Sequence, residues 1–269
     1  MNRAHLSNLL RKFRLIFFTD QIRYYIEKYK NKKVNDAFKQ QYPEIVLPPD
    51  YLIYEAFQLN YQKYYWDSRE TAEWLKNHFE KHIILKNLNI LDWGCGPGRI
   101  IRHLPEVIGN DCTYFGTDYN EKTIEWCSKH LQDIQFNKNT LAAELPYKDN
   151  FFDVIYGISI FTHLSEQMHF DWYAELYRVL KQGGIMLLTT QGNNFKAKLS
   201  DSEVKIFNNN ALVVRGKVKE GHRTFSAFQP KGFMLDLFAN GEVLEHIELK
   251  PGNGKILPQD VWIVRKPTI

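Results

Sequence analysis

The chain has 269 residues, of which 44% are hydrophobic and 25% are charged, a composition typical of a globular protein with a substantial core. It contains no run of about 18 apolar residues and does not begin with an apolar stretch and a small-residue cleavage site, so neither a membrane span nor a secretory signal is expected. Three cysteines without C-x-x-C spacing predict neither a disulfide framework nor a zinc site and favour a reducing cytoplasm.

The net charge of +4 is concentrated at one end of the chain. Residues 1–40 contain ten Lys or Arg against three Asp or Glu, so the rest of the chain carries three net negative charges. A nucleic-acid-binding protein is expected to carry basic residues across its folded surface. The sequence therefore predicts no nucleic-acid partner for the body of the protein.

Residues 1–40, the basic arm, have Leu and Phe at helical spacing between Lys and Arg, which predicts one or two amphipathic helices. Three roles fit this pattern: a helical lid or homodimerisation element, a helix on an anionic membrane surface, or a nucleic-acid contact. Pro43, Pro48 and Pro49 are expected to end this helical region.

Residues 51–66 contain six Tyr or Trp side chains. They predict either a helix packed across the following domain or a cover over its ligand site. The stretch Asp67–Glu70 has the spacing of a capping box, so a second helix is expected to begin there and continue to about Leu85. His78 and His82 lack a third ligand and the Glu of an H-E-x-x-H motif, so no metal site is expected.

From residue 88 onwards, short apolar runs alternate with helical segments. Runs suited to buried strands are LNILDWG, TYFGTD, FDVIYGIS and GIMLLTTQ, and the helices expected between them span residues 98–108, 120–131 and 165–181. This alternation predicts βαβ units and a parallel sheet covered by helices on both faces. A helix over 230–239 then leads into EVLEHIEL and QDVWIVRK, whose helix-free connection predicts an antiparallel pair.

The stretch ILDWGCGPGRI, residues 90–100, places three glycines in five positions between a strand and a helix. Ligands bind at the carboxyl ends of strands in open α/β sheets, where such turns lie. Gly94 and Gly96 would let a ligand approach the backbone closely, and Gly98 would let the next helix pack on the sheet. Asp118, at the end of the next strand, is placed to accept hydrogen bonds from a ribose diol.

In order along residues 88–192, the segments LDWGCGPGR, GTDYN, LPYKDNFFDVIYGISIFTHL and ELYRVLKQGGIMLLTT resemble class I S-adenosylmethionine-dependent methyltransferases. The resemblance implies a Rossmann-like α/β fold with a seven-stranded, mainly parallel sheet and a terminal antiparallel strand. The predicted domains are an N-terminal helical extension or lid (1–87) and a methyltransferase core (88–269) with an acceptor-side insertion (193–229). An NAD-dependent oxidoreductase is less favoured, because the turn has G-x-G-x-G where that class has G-x-G-x-x-G.

The resemblance implies S-adenosylmethionine as the cofactor and S-adenosylhomocysteine as the product. The predicted cofactor-binding residues are Arg69, Asp92, Gly94, Cys95, Gly96, Gly98, Asp118, Tyr119, Leu141, Ala142 and Ile158. Leu141 stands where many relatives have an acidic residue that binds the adenine amino group, so adenine binding is assigned to the backbone of Leu141 and Ala142. Arg69 would bind the cofactor carboxylate.

The acceptor side is expected beyond the carboxyl ends of the predicted strands FDVIYGIS and GIMLLTTQ. His163 in FTHLSE is the candidate catalytic base, with support of the following helix as the alternative role. The predicted substrate-binding residues are Tyr65, Gln191, His222 and Arg223. Phe225 and Phe228 are expected to pack the insertion onto the body of the protein.

Together these residues predict methyl transfer to a small-molecule acceptor, with a hydroxyl on a sugar, glycan precursor or secondary metabolite favoured. A small-molecule amine acceptor and a non-catalytic cofactor-binding module are the alternatives. The cytoplasm is the expected location, and the membrane role of the basic arm would place the protein at the inner membrane face.

Overall fold

The computed structural model describes residues 16–216, 218–252 and 257–268, so the predicted helix over the first part of the basic arm lies outside the described residues. The chain divides into two compact units, the first comprising Phe17–Asn139 and the second containing the chain from Thr140 onwards. Among the described residues, no helix is both long and apolar enough to cross a membrane.

The first unit opens with helices. Helix α1 (Ile16–Gln41) covers the later part of the basic arm, and it is followed by α2 (Asp50–Ala56), a π-helix (Lys63–Asp67) and α3 (Ser68–Phe79). The predicted capping box is wrong, because Asp67 already has helical angles of φ −64° and ψ −24° and its side chain makes no capping hydrogen bond within the described chain. The π-helix leads directly into α3, so no free helix start is left to cap.

Nine strands occur in the described residues. They are β1 (Asn89–Trp93), β2 (Thr113–Asp118), β3 (Ile134–Lys138), β4 (Phe152–Gly157), β5 (Leu180–Thr190), β6 (Val213–Arg215), β7 (Ser226–Phe228), β8 (Glu242–Ile247) and β9 (Asp260–Arg265). Seven of them form one sheet in the order β3-β2-β1-β4-β5-β9-β8. β9 is antiparallel to β5 and β8, whereas the pairs β1–β2, β2–β3 and β4–β5 are parallel. The predicted mainly parallel sheet with a terminal antiparallel strand is confirmed.

Within the first unit, the chain after the glycine turn differs from the prediction. The expected helix over 98–108 is a 3-10 turn (Ile101–His103) followed by the single-turn helix α4 (Leu104–Val107). Pro105 lies in the first turn of α4, where its missing N–H is tolerated, and this position starts a new helix more readily than it extends an old one. The next helix, α5 (Glu121–His130), matches the prediction.

The second unit builds its core on β4 and β5, which are buried along most of their length. Helix α6 (Glu166–Val179) matches the expected helix over 165–181, except that β5 begins at Leu180. The insertion contains a capped helix, α7 (Asp201–Asn208), and the β6–β7 hairpin. These elements pack around a small cluster of buried residues, Phe195, Leu199, Phe207, Val213 and Phe228. Helix α8 (Lys231–Leu237) follows the insertion.

Candidate active site

The glycine turn after β1 has the backbone conformation that its sequence predicts. Gly94, Gly96 and Gly98 have φ of 75°, 51° and 69°, in the left-handed region that other residues rarely adopt. Gly98 also lies against α5, since a Cβ there would be 2.6 Å from Leu131 Cδ1. The N–H groups of Gly94 and Cys95 donate to the Thr117 carbonyl at 2.8 and 2.9 Å. The turn is therefore held against the end of β2.

Asp118 lies at the end of β2 and is tied to this turn. Its Oδ2 accepts from the Gly96 N–H at 2.9 Å, and its Oδ1 accepts from the Asn120 N–H at 2.8 Å. Each carboxylate oxygen has a further lone pair that can accept from a ligand hydroxyl. Burial raises the pKa of Asp118 to about 6, against the lowering effect of these two hydrogen bonds. At neutral pH the group is an ionised, oriented acceptor.

The other predicted residues of the turn are largely buried. Asp92 is 4% exposed at the end of β1. The Cys95 thiol donates to the Gly96 carbonyl at 3.4 Å, and burial raises its pKa well above the ordinary value, so the thiol remains protonated at neutral pH. Tyr119 follows Asp118, and burial raises the pKa of its hydroxyl to about 12. These residues lie beside one another in the first unit.

The aromatic segment before β1 contacts the turn from within the same unit. The buried Tyr64 hydroxyl donates to the Pro97 carbonyl at 3.0 Å, and a Cβ on Gly96 would lie 3.4 Å from Ala56 Cβ at the end of α2. The Arg99 guanidinium lies 4.6 Å from the Phe57 ring centre. The segment thus packs beside the glycine turn.

Two predicted site residues before β1, Arg69 and Tyr65, have other partners. Arg69 binds Glu73 and Glu106 through its guanidinium, so the group assigned to the cofactor carboxylate is engaged by two acidic side chains. Tyr65 packs edge-to-face on His103, with ring centres 4.7 Å apart. The roles predicted for Arg69 and Tyr65 remain predictions, and these contacts would have to give way for either residue to bind a ligand.

A cavity of about 650 Å³ also lies in the first unit, between the end of α1, the following proline-rich loop and α5. Its aromatic wall is formed by Tyr42, Tyr61 and Trp126. The Tyr61 hydroxyl donates to Asp50, which also forms an ion pair with Lys28 at 2.9 Å. The sequence did not predict this cavity, because its lining residues come from separate segments with no shared motif.

In the second unit, His163 lies in a 3-10 turn (Phe161–His163) after β4. Its Nδ1 lies 2.8 Å from the Phe225 carbonyl, which can only accept, so Nδ1 carries the proton and the lone pair of the neutral ring is on Nε2. Burial lowers the pKa of His163, and nearby His222 and Arg223 lower it further. The histidine is therefore a neutral base at physiological pH.

The predicted acceptor residues of the insertion lie in this same neighbourhood. The Gly221 N–H donates to the His163 carbonyl at 3.0 Å, and Nδ1 of His222 accepts from the Thr224 N–H at 3.2 Å. Phe225 is 5% exposed, which agrees with a packing role and not with an open ligand contact. The fold thus brings His163, His222 and Arg223 together although about 60 positions separate them in the sequence.

Gln229 is a buried connecting residue that the sequence did not reveal. Its Oε1 accepts from the Gln191 N–H at 2.9 Å, and its Nε2 donates to the Phe161 carbonyl at 3.0 Å and to His169 Nε2 at 3.1 Å. It therefore holds the tip of β5, the turn that carries His163, and α6 together. A lone Gln in a loop has no sequence signature, so only the hydrogen-bond partners identify it.

The backbone is strained at Ser159, just beyond the carboxyl end of β4. Ser159 has φ of 66° although it is not glycine, and its N–H donates to Thr189 Oγ1 at 2.8 Å. Its hydroxyl and that of Thr189 both donate to Gln259 Oε1, at 2.9 and 2.6 Å. Such non-glycine residues are found where the surrounding structure imposes them, often at functional sites. Ile158, assigned to the cofactor, directly precedes this residue.

The predicted adenine-binding segment also lies in the second unit. The Leu141 carbonyl accepts from the Trp172 indole N–H at 3.2 Å, and the Ala142 carbonyl accepts from the Glu144 N–H at 2.9 Å. The Ala142 carbonyl also accepts from the Thr140 hydroxyl at 3.4 Å, whereas the Leu141 carbonyl has a second lone pair for a ligand. These contacts do not test the assignment of adenine to this backbone, which stays a prediction.

The strand order, the glycine turn after β1 and the acidic residue after β2 are the features of a class I S-adenosylmethionine-dependent methyltransferase domain, a class that uses S-adenosylmethionine as its methyl donor. Residues 90–184 of the chain match the family described as a methyltransferase domain. The matched segment runs from β1 into β5 and contains both the glycine turn and Asp118.

Individual relatives agree on the class and differ in acceptor. The chain is 30% identical over 148 residues to a tRNA (carboxymethyluridine(34)-5-O)-methyltransferase of Arabidopsis thaliana, a match that covers 55% of this chain and 33% of that protein. It is 28% identical over 144 residues to a demethylmenaquinone methyltransferase of Oceanobacillus iheyensis, covering 49% and 58%. The chain thus spans between a third and three fifths of the length of these relatives.

The fold has close counterparts among solved structures. A methyltransferase from Methanosarcina mazei aligns with a TM-score of 0.53 at 19% identity, covering 71% of this chain and 97% of that chain. At this identity the likeness establishes the fold alone. The acceptor has to be argued from the chemistry of this chain.

Proposed function

We propose that this protein transfers the methyl group of S-adenosylmethionine to an acceptor. The observation that supports this most directly is the Asp118 carboxylate, which the Gly96 and Asn120 N–H groups orient beside the glycine turn. A carboxylate with free lone pairs at the end of β2 fits a ribose diol. The glycine turn would leave room for the methionine end of the ligand, and Asp92 would attract its ammonium group.

Calorimetric titration with S-adenosylhomocysteine tests this proposal. Asp118→Asn keeps the side-chain shape and removes the charge, and we expect affinity to fall by the ~1.5–3 kcal/mol typical of a hydrogen bond to a charged group. Asp133→Asn, an exposed carboxylate before β3, is the matched control and should bind as the wild type does. Absence of binding to the wild-type chain would refute the proposal, including the alternative of a non-catalytic cofactor-binding module.

We further propose a hydroxyl on a small molecule as the acceptor. A hydroxyl must lose its proton as it attacks the methyl group, and a neutral imidazole is suited to accept it. His163 has this form, since Nδ1 donates to Phe225 and burial lowers the pKa of the ring. Arg223 and His222 lie beside it and would bind the acceptor. The net negative charge outside the basic arm favours a small molecule over tRNA.

His163→Asn separates catalysis from support of the fold. An Asn amide can still donate to the Phe225 carbonyl but offers no base, so we expect turnover of a hydroxyl acceptor to fall by about 10²–10⁴ while affinity for S-adenosylhomocysteine is unchanged. Acceptors are screened by release of S-adenosylhomocysteine, with matched pairs of hydroxyl and amine compounds. Wild-type turnover in the variant would eliminate the general-base role, and selective turnover of amines would favour N-methylation.

For the basic arm, we propose contact with an anionic membrane surface. Helix α1 leaves Phe18, Ile22, Tyr25 and Tyr29 exposed, at 65%, 45%, 66% and 84%, and their spacing places them on one side of the helix. The arm around them carries an excess of seven positive charges. An apolar stripe within a basic helix is the pattern of an interfacial helix.

Co-sedimentation with vesicles containing anionic lipid tests the membrane contact. The full chain should pellet with these vesicles and remain in solution with neutral ones, and Tyr25→Ser with Tyr29→Ser should reduce the pelleted fraction. Ser substitutions at the exposed Ile84 and Val46, which lie outside the stripe, serve as controls. Equal recovery of both double variants would overturn the proposal, and a concentration-dependent dimer that the stripe variant abolishes would assign the arm to homodimerisation instead.

A further inference from the structure

Three potential metal ligands meet where β8 and β9 reach the carboxyl end of β5. His246, Glu248 and Asp260 each offer one ligand atom, and these atoms lie within 4.8 Å of one another. The antiparallel register pairs His246 with Trp262 and Ile247 with Val261. Continued by one position, the same register places Glu248 opposite Asp260, so two carboxylates face each other across the strand pair.

This pairing of two carboxylates is unfavourable unless a positive charge compensates it. Like charges directly opposite each other destabilise a strand pair. Asp260 is only 3% exposed, and its Oδ1 has no hydrogen-bond partner within the described part of the chain. Its other oxygen, Oδ2, lies 3.1 Å from His246 Nε2. A buried carboxylate oxygen without a partner is costly, and a bound cation would satisfy it.

The surroundings hold the three side chains in place. The His246 ring stacks on Trp262, with centres 3.7 Å apart and planes at 13°, and the Asn193 amide donates to Glu248 Oε2 at 3.0 Å. Gly192 leaves the space for Asp260, because a Cβ there would overlap the carboxylate. Such outer contacts are the ones that orient metal ligands in established sites.

We propose that His246, Glu248 and Asp260 bind a divalent transition-metal ion such as Zn²⁺ or Mn²⁺. One imidazole nitrogen with two carboxylates suits these ions, whereas Ca²⁺ and Mg²⁺ prefer oxygen ligands alone. Three protein ligands leave coordination positions for water or an acceptor oxygen. Asp260 pairs with Thr190 at the end of β5, next to Gln191, so the ion lies beside a predicted acceptor residue.

The proposal does not depend on methyl transfer and is tested without cofactor. Full-length protein treated with chelator is titrated with Zn²⁺ and with Mn²⁺ by calorimetry, and with Co²⁺ by absorption. We expect one ion per chain, a Co²⁺ spectrum without the intense band of thiolate ligands, and a melting temperature that rises with ion concentration, because only the folded chain assembles the site.

Two variants test the ligands. Glu248→Gln removes an exposed carboxylate, and His246→Phe keeps a ring on Trp262 while it removes Nε2. Each variant should weaken metal binding at least ~10-fold, because even loss of a residue that only supports a metal ligand has an effect of this size. Glu242→Gln, on the same strand with an ion pair to Arg265 at 3.6 Å, is the control and should bind as the wild type does. Absence of saturable binding, a thiolate band, or wild-type affinity in both ligand variants would overturn the proposal. Equal affinity for Mg²⁺ with no effect of His246→Phe would also overturn it.

Discussion

The glycine turn and the region around His163 are organised in different ways. The glycine turn is defined mainly by backbone conformation. Three left-handed glycines shape it, and the Asp118 side chain joins it to a segment 22 positions away. In the second, side chains connect distant parts of the chain, as Gln229 does with Phe161 over 68 positions. The first region is recognisable from short sequence motifs. The second forms only when the insertion folds and brings distant side chains together.

This difference predicts different responses to substitution. A residue whose hydrogen bonds join several distant segments should matter most for stability, and a turn glycine should matter through local strain and overlap. Protonation of a side chain that binds a ligand should change the ligand affinity without unfolding the chain.

The largest effect is expected for Gln229→Leu. The variant has a similar volume but leaves the Phe161 carbonyl, the Gln191 N–H and His169 Nε2 without their partner, and each such group costs about 1–3 kcal/mol. We expect the free energy of unfolding to fall by about 3–5 kcal/mol, measured by urea denaturation. Gln167→Ala, at an exposed position on α6, should change it by less than about 0.5 kcal/mol. Similar values for both would mean that the side-chain network contributes little.

A smaller loss is expected for Gly98→Ala. The φ of 69° is unfavourable for alanine, and its Cβ would lie 2.6 Å from Leu131 Cδ1, so we expect about 2–4 kcal/mol of destabilisation from strain and overlap. Gly252→Ala is the matched control, because nothing lies within 4 Å of its added Cβ. Equal stability of the two variants would show that the conformation of the turn is not required for folding.

The smallest effect is expected for the change of ligand affinity with pH, through protonation of Asp118. Burial raises the pKa of Asp118 to about 6, so the carboxylate proposed to accept ribose hydroxyls is lost as the pH falls through that value. Affinity should fall about tenfold per unit below the pKa, which is ~1.4 kcal/mol. Methylthioadenosine is the probe for titration calorimetry, since it has the ribose but no amino-acid group. Asp118→Asn should bind it with no such dependence, and an identical pH profile in that variant would assign the effect to another group.

The same group has an opposite influence on folding. Between its ordinary pKa of 3.8 and the value of about 6 in the folded chain, the folded state binds more protons than the unfolded one. Stability from this group therefore decreases as the pH rises through this window. Binding and stability should change in opposite directions between about pH 4 and pH 6.

The local elements with strong patterns were predictable from the sequence. The apolar runs before Gly94 and at β9 were recognised because burial of a strand on both faces leaves a continuous apolar signal. The capping box at Asp67 failed because the preceding π-helix supplies the helix start. β3 was not predicted, since its pattern is mixed: only one of its five residues is buried and two are exposed.

Sequence order alone determined the fold class, the glycine turn and the position of Asp118 at the end of the next strand, because these depend on backbone conformation and on strands that follow one another. Tertiary structure alone decided which nitrogen of His163 carries the proton, the central position of Gln229, and the meeting of His246, Glu248 and Asp260. Those features depend on strand register and on hydrogen bonds between distant segments. No local pattern of residues records them, which is why the expectation of no metal site considered the cysteines, His78 and His82 and did not include the end of β8.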